Sequence, residues 1–173
     1  MTEQQAPLIL VVDDYQDARE MYAEYLQFSG FRVAEARNGN EAIEQAFALH
    51  PDLILMDLSL PGMDGWEATR QLKSDDRTRH IPIVALTADP STDIGVRARR
   101  AGCVGVITKP VLPDEVARQI LVEQEPHAVA RRRSRRAANS MAARRSTMDL
   151  SGPPGRSATM PSMLLLMAPS ITE

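Results

Sequence analysis

The sequence predicts an α/β fold: a doubly wound, five-stranded parallel sheet with helices on both faces. Three observations lead there. Short strand-like runs bounded by turn residues recur five times, and the most apolar of them read as strands buried on both faces. Between them lie stretches with apolar residues at 3/4 spacing, the mark of amphipathic helices. Strands and helices thus alternate along the chain, which the connection and handedness rules resolve into a parallel sheet.

The elements follow in order. Leu8-Ile9-Leu10-Val11-Val12 is the first strand and ends at Asp13-Asp14. From Tyr15 to Phe28 the pattern is helical, with Ala18, Met21, Tyr22, Tyr25 and Leu26 on one stripe and Gly30 as the stop. Phe31 to Ala36 is a short strand, and Asn38-Gly39 reads as a turn. Ala42, Ile43, Ala46, Phe47 and Leu49 form the next helical stripe, closed before Pro51. Leu53-Ile54-Leu55-Met56 is the central strand. It ends at Asp57 and opens into the Gly/Pro loop 58–65. Trp66 to Leu72 is a third helix and 74–80 a charged link. Pro82 to Leu86 is the fourth strand, ending at Thr87, with its proline tolerable as the first residue. A helix is expected from about Ser91 to Ala101, with Ser91 or Thr92 as cap and Gly102 as stop. Val104 to Thr108 is the fifth strand, ending at Lys109-Pro110. Val116, Ile120 and Leu121 mark a last helix from about Pro113.

Composition divides the chain of 173 residues. Residues 1–125 hold 12 Lys and Arg against 21 Asp and Glu, a balance of −9. Residues 126–173 hold 8 Arg against 2 acids, a balance of +6. The expected organisation is a folded domain at 7–123 and a basic, disordered tail at 124–173. The tail carries the arginine-rich run 131–136, with Ser134 inside it, the arginines 144–145 and the apolar run 163–167. It shows no helix-turn-helix or nucleotide-binding pattern, so no second domain is expected. Hydrophobic residues make up 43% and aromatics 4%, which predicts an aliphatic core. One cysteine, Cys103, excludes an intrachain disulfide. The polar N-terminus is no secretory signal, and no apolar run approaches the roughly 20 residues of a membrane span. A soluble, cytoplasmic protein is the expectation.

In an open parallel sheet, ligands bind beyond the carboxyl ends of the strands. That rule nominates Asp13, Asp14, Asp57, Thr87 and Lys109. Three carboxylates that close raise one another's pKa, and a hard divalent cation relieves the conflict. Mg2+ suits an all-oxygen set. His50, His80 and His127 lie far apart and suggest no zinc site. With a metal, the set matches the parts of phosphoryl transfer: a carboxylate nucleophile, an ammonium for the equatorial oxygens and a hydroxyl donor. Asp57, alone on the central strand, is the nucleophile, while Asp13 and Asp14 read as metal ligands. Each feature alone has a plainer reading, as a helix cap or turn residue. Their joint placement at the ends of alternating strands outweighs it.

The motifs Val12-Asp13-Asp14, Met56-Asp57-Leu58, Pro61-Gly62-Met63-Asp64-Gly65, Leu86-Thr87-Ala88 and Thr108-Lys109-Pro110 resemble those of the response regulator receiver domain of two-component signalling, in its stand-alone form. The resemblance covers residues 7–123. It implies the flavodoxin-like strand order 2-1-3-4-5 and phosphorylation of Asp57 by a sensor histidine kinase or histidine phosphotransfer protein. It also implies Mg2+ held by Asp14, Asp57 and the Ser59 carbonyl, with Asp13 orienting a metal-bound water. Thr87 and Lys109 would hold the phosphoryl group and report it through the fourth helix, fifth strand and fifth helix to an unknown downstream protein. The family usually has Tyr or Phe three residues before the lysine. Here Val106 stands there, with no ring to swing inward.

The resemblance thus implies a signalling switch in a phosphorelay rather than an enzyme. Two alternatives come from other classes. One is a Mg-dependent phosphohydrolase with an aspartyl-phosphate intermediate, but its first-strand Asp-x-Asp pattern is not matched by Asp13-Asp14-Tyr15. The other is a receiver whose basic tail binds nucleic acid, a weaker reading because a solvated extension has the same composition.

Overall fold

The computed structural model describes residues 5–123. The tail expected at 124–173, its arginine runs and His127 lie outside the described residues. The elements are β1 (Leu8–Val12), α1 (Gln16–Phe28), β2 (Arg32–Ala36), α2 (Gly39–Leu49), β3 (Leu53–Asp57), α3 (Gly65–Ser74), β4 (Ile83–Thr87), α4 (Ile94–Ala101) and β5 (Gly105–Thr108). A fifth helix, α5, covers residues 113–123. The strands form one parallel sheet in the order β2-β1-β3-β4-β5. This is the strand order that the resemblance implied.

Successive strand residues point to opposite faces, so each strand feeds two cores. Leu10, Val12, Ile54, Met56, Ile83 and Ala85 face α2, α3 and α4. Ile9, Val11, Leu53, Leu55, Val84 and Leu86 face α1 and α5. Every residue of β1, β3 and β4 is buried, which is why these runs read as unbroken apolar stretches. Each large aliphatic side chain so buried stabilises the fold by about 1.5–3 kcal/mol.

Several sequence expectations need correction. Asn38-Gly39 is not a free turn but the start of α2: the Asn38 side chain accepts the Glu41 N–H at 2.9 Å as an N-cap. α3 starts at Gly65 and runs to Ser74, with Asp64 capping the Glu67 N–H at 2.7 Å. α4 begins at Ile94 rather than near Ser91. Ser91 is a donor instead of a cap: its N–H (2.9 Å) and its hydroxyl both reach the Asp89 carboxylate. That turn uses up the residues expected to open the helix. β2, β4 and β5 each begin one residue later than expected, although the Pro82 carbonyl still accepts the Ile54 N–H at 2.9 Å. Met21, Leu49 and Leu121, placed on helix stripes by spacing, are exposed. Each falls at the edge of its stripe.

Gly30 and Gly102 are the expected helix stops, with φ of +90° and +105°. Both sit just past their helices in the left-handed region that glycine adopts without a Cβ penalty.

Candidate functional site

The strand ends deliver the nominated side chains to one edge. Asp13 follows β1, Asp57 closes β3, Thr87 closes β4 and Lys109 follows β5. The register fixes their relation: Val12 pairs with Met56, Asp57 with Leu86 and Thr87 with Thr108. The sheet ladder therefore sets these four strand ends side by side, and no loop has to close over them.

Lys109 Nζ lies 2.7 Å from Asp13 Oδ2 and 2.6 Å from Asp57 Oδ2. Asp13 is fully buried, and Asp57 is only 5% exposed. Buried carboxylates demand partners, and each has them. Asp13 Oδ1 accepts the Tyr15 N–H at 2.9 Å, and Asp57 Oδ1 accepts the Ser59 N–H at 2.8 Å. Burial pulls the Lys109 ammonium pKa down, but its hydrogen bonds to Asp13 and Asp57 and their charges outweigh that, so the net shift is upward. The picture of bare mutual repulsion among the acids is thereby corrected: an ammonium stands between two of them.

Asp14 is exposed beside them. Asp13, Asp14 and Asp57 each offer a carboxylate oxygen, all within 4.8 Å of one another. Three carboxylates against one ammonium leave a charge of −2, and all the ligand atoms are oxygens. That donor set fits a hard divalent cation. Thr87 is 2% exposed, and its Oγ1 accepts the Asp89 N–H at 3.0 Å. The Lys109 N–H reaches the Thr87 carbonyl at 2.7 Å, so the threonine and the lysine are fixed to each other through the backbone. Ser59 is exposed and touches the site through its backbone N–H.

Three neighbours of the site escaped the sequence reading. Gly65 opens α3 directly against Asp57. A Cβ built there would lie 2.0 Å from the Asp57 carbonyl oxygen and 2.8 Å from Leu58 Cα. The only sequence signal was its place in the motif ending at Gly65, which gave no reason for the glycine. Arg19 on α1 donates from Nη1 to the Asp13 carbonyl at 2.8 Å and pairs with Glu35 at 3.2 Å. Tyr22, buried on α1, has a phenol pKa raised by burial; the Lys109 charge opposes the rise, and the Asp13 and Asp57 charges add to it. Neither Arg19 nor Tyr22 belongs to a local motif, so only the fold brings them here.

Comparison with known proteins gives a consistent answer. The family model described as the response regulator receiver domain matches residues 9–121. The polar-differentiation response regulator DivK of Brucella anthropi is 39% identical over 103 residues, which is 60% of this chain and 84% of that protein. Among solved structures, chemotaxis protein CheY4 of Vibrio cholerae is 28% identical with a TM-score of 0.64, covering 67% of this chain and 97% of its own. A putative response regulator from Chloroflexus aurantiacus is 30% identical with a TM-score of 0.63, covering 66% and 94%.

Proposed function

The chain belongs to the response regulator receiver domain family, the phosphorylatable switches of two-component signalling, and from that premise we propose that Asp57 is its phosphoacceptor. The observation that carries this reading is the pair of bonds from Lys109 to Asp13 and Asp57, which joins residues 96 and 52 positions apart. A carboxylate ionised near neutral pH needs no general base to act as a nucleophile. An Asp57 oxygen forms the new O–P bond while the P–N bond of a phosphohistidine breaks, and the leaving imidazole takes its proton from water. Lys109 holds the transferred oxygens, and Thr87 turns its hydroxyl toward them. Asp14, Asp57 and the Ser59 carbonyl would hold Mg2+, with Asp13 orienting its water. The ion would supply charge neutralisation for the phosphoryl oxygens.

The phosphodonor in this reading is a sensor histidine kinase or histidine phosphotransfer protein, and the recipient of the signal is a downstream protein. Residues 7–123 form the switch, and 124–173 are a basic extension. The working place is the cytoplasm, since phosphohistidine donors of this kind act there; among the described residues no helix is long and apolar enough to cross a membrane. Incubation with acetyl phosphate and Mg2+ should add one phosphate to the intact protein, seen by mass. Asp57→Asn should add none, and persistent labelling in that variant would overturn the assignment. A generic phosphate ester should not be turned over, which separates the switch from the phosphohydrolase alternative.

A further inference from the structure

Val106 occupies the strand position where a ring could report on Thr87. It is half-buried and packs against the core beneath α4. An aromatic with a contact chain back to Thr87 lies instead on another helix. Trp66, the chain's one tryptophan, sits in the first turn of α3, directly after the glycine pressed against Asp57. Over its ring lies the guanidinium of Arg97 from α4, 5.0 Å from the centroid. The same guanidinium lies 3.7 Å from the Asp89 carboxylate. Asp89, in turn, is the residue whose N–H bonds Thr87 Oγ1 at 3.0 Å.

These contacts close a circuit from Asp57 through Gly65, Trp66, Arg97, Asp89 and Thr87 back to the site. We propose that Arg97 is a positioning residue that carries the state of Thr87 to α3 and α4, in place of an aromatic on β5. The proposal rests on the reading of Asp57 and Thr87 given above. When the Thr87 hydroxyl turns to a phosphoryl oxygen, the Asp89 N–H loses its acceptor and the turn over residues 87–91 loosens. A charge-assisted hydrogen bond to the phosphoryl group favours that exchange. Asp89 then competes less well for the guanidinium, which settles more fully on the indole face. Both contacts of Arg97 are half-exposed and individually weak, so a small change at Asp89 is enough to shift their balance. α4 is drawn toward the first turn of α3 as a result.

The test uses the full chain, loaded with Mg2+ and beryllofluoride. Loading is read by the 19F signal of the bound fluoroberyllate, independently of the helices. The response is read in two ways: acrylamide quenching of Trp66 and amide exchange across residues 94–101. Loading should lower the quenching of Trp66 and slow exchange in α4. Arg97→Ala should still load but lose both responses, while Arg97→Lys should keep them in weakened form. A melting temperature unchanged between Arg97→Ala and the parent would separate signalling from folding. Loading with unchanged or increased Trp66 quenching overturns the proposal. So does an α4 exchange response that survives in Arg97→Ala. No bound fluoroberyllate in the parent protein would instead defeat the reading of the site itself, and this proposal with it.

Discussion

Two half-buried lysines stand at opposite edges of the sheet, and their environments push them in opposite directions. Lys109 lies at the carboxyl edge between two carboxylates, and its pKa is raised. Lys73, at the end of α3, lies at the amino edge, where its ammonium donates to the Arg79 and Ile81 carbonyls at 3.1 and 2.5 Å. Burial lowers its pKa, and the Cys103 thiol only partly opposes this. Neutral carbonyls satisfy a donor but do not offset lost hydration as charges do. The amino edge is thus a settled structural joint. The carboxyl edge sets three carboxylates against one ammonium, and the excess negative charge leaves it open to a metal.

The largest expected effect separates the two lysines directly. Lys109→Met leaves Asp13 and Asp57 buried with no ammonium between them, and should cost about 3 kcal/mol in metal-free protein. Lys73→Met keeps the aliphatic stem and leaves two carbonyls wanting a donor, and should cost about 1 kcal/mol. Urea unfolding measures both. Equal costs would erase the distinction between the edges.

One glycine at each edge sharpens it next. Gly65→Ala drives a methyl into the Asp57 backbone carbonyl, which cannot give way as a side chain could, and should cost about 2–3 kcal/mol while abolishing phosphate uptake. Gly102→Ala meets Lys73 Cγ at 2.7 Å and a φ of +105°. The methyl meets the near part of a side chain whose ammonium is anchored, in a backbone region that disfavours a Cβ, so the cost should be about 1–2 kcal/mol, with uptake intact. Uptake by Gly65→Ala at the parental rate would show that the close approach to Asp57 is dispensable.

Alkaline pH acts on the amino edge first. Burial pushes the Cys103 thiol up from 9.0 to about 11; the Thr69 hydroxyl and the Lys73 ammonium pull it back in part. Between pH 9 and 11 the unfolded chain releases this proton and the folded chain keeps it. Stability from the thiol is therefore complete below pH 9 and lost on the way to 11, by about 2 kcal/mol. Lys73, with a lowered pKa, acts with the opposite sign just below 10.5. Lys109, with a raised pKa, adds its own loss only above 10.5. Cys103→Ala should flatten the decline between pH 9 and 11 in urea titrations. An unchanged decline would place its origin elsewhere.

A further effect belongs to the carboxyl edge alone. Mg2+ at ten times its dissociation constant should stabilise the fold by about 1.4 kcal/mol through mass action. Asp14→Ala should lose that increment with little cost to metal-free stability, because Asp14 is exposed. Lys73→Met should retain it in full. A magnesium response that survives in Asp14→Ala would remove that residue from the ligand set.

Much of this architecture was legible because it rests on period and position. Runs buried on both faces announce β1, β3 and β4, and the rule for strand carboxyl ends nominates Asp13, Asp57, Thr87 and Lys109 without any distance. What stayed hidden depends on contacts between separate elements. Nothing local marks Arg19 as a partner of the Asp13 carbonyl or Gly65 as the residue that lets α3 start against Asp57. Asn38 and Ser91 show a subtler limit. Both have the chemistry to cap a helix or to build a turn, and the neighbouring residues decide which. Met21 and Leu121 fit an apolar stripe by spacing, but the sheet covers only the middle of each stripe.

The span of the Lys109–Asp13 bond has a consequence during synthesis. The lysine emerges from the ribosome 96 residues after the carboxylate it meets. A chain cut anywhere between residues 57 and 109 carries Asp57 but not the ammonium beside it, however well its first strands have formed. On the proposed role of Lys109, competence to receive a phosphoryl group therefore arrives only once β5 and the lysine after it are made. On the proposed roles of Asp57 and Lys109, a copy truncated between them should be a poor phosphoryl acceptor.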